Sequence, residues 1–94
     1  MLEGQIVSRV LPIINEKGLH ARASARFVEV VEAHQARVVV SRDGMEVGGD
    51  SIMGLLMLGA ARGTSITITV TGADARKLAD ALEALVADKF GEEF

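Results

Sequence analysis

The chain predicts an α+β domain of two layers, and three observations carry that prediction. Segments of period two and segments of helical period succeed one another along 94 residues in the order β-α-β-β-α-β-α. Residues 65–71 alternate cleanly, with Ile66, Ile68 and Val70 on one side and threonines on the other. One face of the sheet is therefore expected to meet helices and the other to meet water. No linker, repeat or low-complexity tract interrupts the pattern, so residues 1–94 read as one domain with its own core.

Each element has its own signal. Residues 6–13 carry β-branched side chains and place Leu11 and Ile13 on one face of a strand. Residues 21–32 repeat Ala23, Phe27, Val30 and Val31 at helical spacing. Residues 36–41 return to strand, with Val38 and Val40 on one side. Arg42-Asp43-Gly44 is a strong turn signal, so 45–48 is expected to fold back as a short hairpin partner. Ser51 stands directly before an apolar run and predicts the N-cap of a short helix through residue 58, which the glycines of 59–63 end. Strand 65–71 follows and Gly72 breaks it. The last helix, 74–89, puts Ala75, Leu78, Ala79, Leu82, Leu85 and Val86 on one stripe.

Composition excludes several classes of function. The chain has 10 Lys+Arg against 13 Asp+Glu, a net charge of −3 without an electrostatic footprint for nucleic acid. Its only aromatic residues, Phe27, Phe90 and Phe94, are too scattered to stack bases. There is no cysteine, hence neither a disulfide framework nor a cysteine-based zinc site, which fits a reducing cytoplasm. Met1-Leu2-Glu3-Gly4 lacks the basic and apolar regions of a secretory signal, and the longest apolar run, 52–61, is interrupted by glycine and too short to span a bilayer. His20 and His34 do not make a metal-ligand spacing, so neither metal nor cofactor is expected. His34 reads as a surface or last-turn histidine. Gly54-x-x-x-x-Gly59 is followed by Ala60-Ala61 and not by the Lys-Ser/Thr of a nucleotide loop.

The chemistry concentrates at Gly18-Leu19-His20-Ala21-Arg22, where a helix begins. The first turn of a helix presents backbone N–H groups without intrahelical partners and the positive end of the macrodipole, a setting that attracts anions. At neutral pH one ring nitrogen of His20 is expected to keep a free lone pair. A nucleophilic nitrogen, unpaired amides and Arg22 together suit a phosphoryl group carried on histidine. On physical grounds alone a lone histidine in a small domain serves more often as a cap, a surface residue or a satisfied core group.

Two motifs tip that balance. Gly18-Leu19-His20-Ala21-Arg22 resembles the active-site signature of the HPr family, the histidine-containing phosphocarriers of the bacterial phosphotransferase system. The second, Gly49-Asp50-Ser51-Ile52-Met53-Gly54-Leu55-Leu56-Met57-Leu58-Gly59, is similar to the segment around that family's regulatory serine, at the family's usual separation. The resemblance covers essentially the whole chain. It implies an HPr-like open-faced sandwich, a four-stranded antiparallel sheet covered on one face by three helices. It also implies that His20 accepts a phosphoryl group on Nδ1 from phosphorylated enzyme I, itself charged by phosphoenolpyruvate, and passes it to a histidine of IIA-type proteins. Arg22 matches the arginine that stabilises the phosphoryl group, and Ser51 the serine phosphorylated by an HPr kinase/phosphorylase. Ile52, Met53 and Leu56 match an outward docking patch, while Leu55 and Leu58 read equally well as core. Lys17 and Arg26 read as steering groups for acidic partners or as solvated surface. The protein is expected to be a cytoplasmic monomer and a covalently modified carrier, not a turnover enzyme.

Two departures from the commonest family pattern mark the chain. Ala23 stands where many members have proline in the first helical turn, and Asp50 where lysine is frequent before the serine. They point to a divergent branch, one serving nitrogen-related or regulatory signalling and not sugar uptake. The rival reading from another class is a regulatory module that docks through 52–58 and whose phosphorylation switches partner affinity. A small-molecule-binding module has little support.

Overall fold

Strand β4 (Ser65–Thr71) is an inner strand of the sheet, and its two faces have opposite character: Ile66, Ile68 and Val70 are buried while the threonines between them stay half exposed. β1 (Ile6–Pro12) and β2 (Arg37–Arg42) pair with it antiparallel on either side, and β3 (Met45–Gly48) completes the order β1-β4-β2-β3. These elements come from a computed structural model that describes residues 5–94. The absence of a secretory signal, read from Met1 to Gly4, therefore lies outside the described residues. The helices α1 (Ala21–Glu32), α2 (Ile52–Met57) and α3 (Ala75–Ala87) lie over one face of the sheet, giving the four-stranded antiparallel open sandwich. No helix among the described residues is long and apolar enough to cross a membrane.

The β2–β3 turn follows from Asp43 and Gly44. Both adopt left-handed φ values, 51° and 82°, which matches the twist of a two-residue hairpin and leaves Arg42 paired with Met45. Several boundaries differ slightly from the sequence reading. β2 covers 37–42 and not 36–41, and α2 ends at Met57 with Leu58 as its C-cap. α3 starts at Ala75 because Asp74 is spent outside the helix, its carboxylate accepting the Gln35 N–H at 2.8 Å. It stops at Ala87 because Lys89, Phe90 and Gly91 all take positive φ values of 58°, 57° and 79°. A left-handed single turn cannot continue a right-handed helix.

The core draws on every layer. Leu11, Ile13, Val38, Val40, Ile66, Ile68 and Val70 rise from the sheet region to meet Ala23, Phe27 and Val31 of α1, Leu55 of α2, and Leu78, Leu82 and Val86 of α3. Ile13 keeps its inward position beyond the end of β1, its N–H donating to the Thr64 carbonyl at 2.8 Å. The opposite face carries Ile6, Val10 and Val39 among threonines, with no helix above them. Leu78 is completely buried between α3 and the sheet. Leu78→Ala is expected to lower stability by about 3 kcal/mol in urea unfolding. A loss under about 1 kcal/mol would show that α3 is not seated on the core as described.

Candidate functional site

His20 is placed by the loop before it. The Asn15 carbonyl accepts the Gly18 N–H at 3.2 Å, and Gly18 turns the chain with φ +67°. A Cβ at Gly18 would stand 2.6 Å from the Ala60 carbonyl oxygen, so only glycine permits the approach. That same carbonyl accepts the Leu19 N–H at 2.9 Å and ties the loop to the segment leaving α2. His20 thus arrives as the N-cap of α1 in extended backbone geometry. Its Nδ1 accepts the Arg22 N–H at 3.3 Å, while its carbonyl accepts the Ser24 N–H at 2.8 Å. The His20 side chain thus serves as the cap of α1. The N–H groups of Ala21 and Ala23 find no partner among the described residues, and Ala23 keeps a donor that proline would lack.

The other ring nitrogen, Nε2, bonds to the carboxylate of Glu92. The sequence reading missed this residue. Glu92 comes from the far end of the chain, brought back by the left-handed turn 89–91, in which Phe90 is fully buried. Left-handed conformations cost non-glycine residues about 1–2 kcal/mol each, so the burial of Phe90 has to offset real strain at Lys89 and at Phe90 itself. The tail is fastened twice more. The Glu16 N–H donates to the Phe94 carbonyl at 2.7 Å, and the buried Asn15 amide donates to Glu92 Oε1 and to the Gly18 carbonyl, both at 2.9 Å. Asn15 Oδ1 is buried without a partner among the described residues. Turning the amide over would set that oxygen against two acceptors, which fixes its orientation. The signal that could have exposed Asn15 is a polar side chain directly after the apolar pair Ile13-Ile14; Glu92 gave none, because nothing local reports a contact 72 residues away.

His20, Lys17, Arg22, Arg26, Glu16, Glu92, Glu93 and Phe94 line one open pocket of ≈ 260 Å³. Four of the residues singled out from sequence, His20, Arg22, Lys17 and Arg26, are brought together there. Arg22 is exposed, and its guanidinium makes no ion pair among the described residues. The other singled-out residues gather on α2. Ser51 is its N-cap, Oγ accepting the Gly54 N–H at 3.0 Å. Ile52, Met53 and Leu56 face outward, Met53 being 71% exposed, and Met57, not singled out from sequence, is 66% exposed. Leu55 and Leu58 are buried, as the core reading of them has it. His34 lies just past α1 with its Nδ1–H donated to the Val30 carbonyl at 2.8 Å. The described residues hold no group of histidine and acidic side chains fit for a metal.

Desolvation pushes the Glu92 carboxyl up, but the hydrogen bonds from Asn15 and His20, with the electrostatic pull of His20 and Lys17, outweigh it and hold the group below its ordinary value of 4.5. A carboxylate with a lowered folded-state pKa stabilises the fold fully above its unfolded value, and that contribution is lost as pH falls through the folded value. Below pH 4.5 the stability of the native protein should therefore fall more steeply than that of Glu92→Gln. Urea unfolding at a series of pH values checks this; parallel profiles would mean that the carboxylate is not engaged.

Comparison with known proteins places the chain. The family model for the PTS HPr component phosphorylation site matches residues 7–88. The phosphocarrier protein HPr of Cupriavidus necator is 42% identical over 87 residues, covering 93% of this chain and 98% of its own. The crystal structure of HPr from Thermoanaerobacter tengcongensis superposes with a TM-score of 0.89 at 34% identity, over 94% of this chain and 99% of that one. HPr from Bacillus anthracis gives 0.82 at 36% identity, over 86% and 96%. With the histidine-capped helix, the open sheet and a family match across almost its whole length, the chain belongs to the HPr phosphocarrier family of the phosphotransferase system.

Proposed function

We propose that the protein carries a phosphoryl group on Nδ1 of His20, taking it from phosphorylated enzyme I and giving it to a histidine of IIA-type proteins in the cytoplasm. The observation that carries this reading is the position of Nδ1 at the first turn of α1, beside the unpartnered amides and in the same pocket as Lys17, Arg22 and Arg26. The resting bond from the Arg22 N–H to Nδ1 is long at 3.3 Å, so vacating the lone pair for attack costs little. In-line attack breaks the donor N–P bond, returns its electron pair to the donor ring, and forms the N–P bond at His20. The Arg22 N–H is then free for a phosphoryl oxygen, and the exposed guanidinium supplies charge-assisted contacts. Donor and acceptor proteins complete the site, which accounts for how few polar groups this chain contributes.

The outward side chains of α2, Ile52, Met53, Leu56 and Met57, form the surface on which we place partner docking. Methionine adapts its shape and suits a face that meets several partners in turn. Ser51 is proposed as a regulatory phosphorylation site for an HPr kinase. A phosphate there would replace the cap and set charge against an apolar docking face. The regulatory-module reading rests on the same face and serine, with phosphorylation acting as a switch of affinity and not as cargo.

Incubation with enzyme I and phosphoenolpyruvate should add one acid-labile phosphoryl group to the wild type and none to His20→Ala, read by intact mass. No gain with an enzyme I shown to be active would overturn the carrier reading in favour of the regulatory module. Met53→Asp is expected to slow phosphorylation at limiting concentrations of enzyme I by about tenfold or more, the scale set when charge is forced into an apolar interface. Unchanged kinetics would remove α2 from the docking surface.

A further inference from the structure

The contact between His20 and the chain's own C-terminal segment has a chemical consequence that a structural tether does not need. The two ring nitrogens have distinct partners, and each partner independently selects the same tautomer. Nδ1 receives the Arg22 N–H, so it must present a lone pair, whereas Nε2 faces a carboxylate and must carry the proton. Glu92 is itself held in place: Oε1 takes the Asn15 amide, the Phe90 ring is sealed in the core, and the left-handed turn aims the carboxylate back at α1. Backbone in sparsely populated conformations collects where a geometry is over-determined for function. The two nitrogens lie on different edges of the ring, so the carboxylate leaves the Nδ1 edge open to the pocket.

We propose that Glu92 is a positioning residue for phosphoryl transfer, holding the proton on His20 Nε2 so that Nδ1 stays nucleophilic and then balancing the charge the ring acquires. This inference rests on the carrier reading above. When the Nδ1 lone pair forms the N–P bond, the donor N–P electron pair leaves with the donor ring and the Nε2 proton stays where it is. The His20 ring then bears one formal positive charge, beside the anionic carboxylate of Glu92. No proton has to leave during the step, and none has to return when the group departs. The arrangement is the one by which a carboxylate orients an imidazole and stabilises its cation in nucleophilic sites generally.

The test combines ring nitrogen chemical shifts of His20 with transfer kinetics for wild type, Glu92→Ala, Glu92→Gln and the control Glu32→Gln, an exposed carboxylate at the far end of α1 and outside the pocket. In the unphosphorylated wild type the neutral ring should be the single tautomer protonated at Nε2. Glu92→Ala should show a tautomer mixture and a phosphorylation rate constant about tenfold lower, with the KM for enzyme I within twofold. Glu92→Gln, isosteric and uncharged, should keep the fold and lose the rate, and Glu32→Gln should change neither quantity. Ring shifts of Glu92→Ala that coincide with the wild type, or a Glu92→Gln rate within twofold of it, would overturn the proposal. The shifts are read without any phosphoryl donor. Failure of the wild type to accept a phosphoryl group would therefore count against the carrier reading, while the tautomer comparison still decides the role of Glu92.

Discussion

The buried Asn15 carboxamide is the joint on which the site depends. Its two N–H groups close different parts of the molecule: one takes the Gly18 carbonyl of the loop leading into α1, the other the Glu92 carboxylate of the C-terminal segment. A buried amide satisfies both acceptors only with the loop and the tail in register, and leaving either unpaired would be expensive. His20 inherits its position from the first of these bonds and its Nε2 partner from the second. The geometry of the His20 ring is thereby set by a side chain whose own hydrogen bonds go to Gly18 and Glu92.

The one-sided sheet explains why the site can be so close to the chain's remote segments. With β4 between β1 and β2, the strands flanking it run parallel, and α1 must cross over the covered face to connect them. The start of α1, the end of α2 and the end of α3 then converge, so that Ala60, His20 and Glu92 bond across long stretches of sequence. The uncovered face, with its threonine ladder on β4, takes no part in this.

α2 resolves a conflict between packing and exposure. Six residues, apolar nearly all round, cannot all be buried against a sheet. Leu55 sits in the core with the following Leu58, and the methionines go outward, while Ser51 holds the first turn through its hydroxyl. An exposed apolar face is tolerated because the helix is anchored from below and capped at its start.

The element order, the covered and open faces, the Asp43-Gly44 turn, the Ser51 cap and the convergence of charge near His20 were all legible in the sequence. Each is encoded by neighbours in the chain: alternation in 65–71, helical spacing in 21–32 and 75–86, a hydroxyl before an apolar run. The HPr-type motif supplied the chemistry expected of His20, and the match over residues 7–88 supplied the family. The tertiary structure alone decided where α3 stops, that Met57 joins Ile52, Met53 and Leu56 on the exposed side of α2, and what lies against Nε2. Those outcomes depend on Phe90 finding the core through a left-handed turn and on Asn15 pairing with Glu92 across 77 positions. Local propensity opposes the first, and no periodicity reports the second. A contact between distant residues is chosen by the packing of the whole chain, and only the folded molecule shows it.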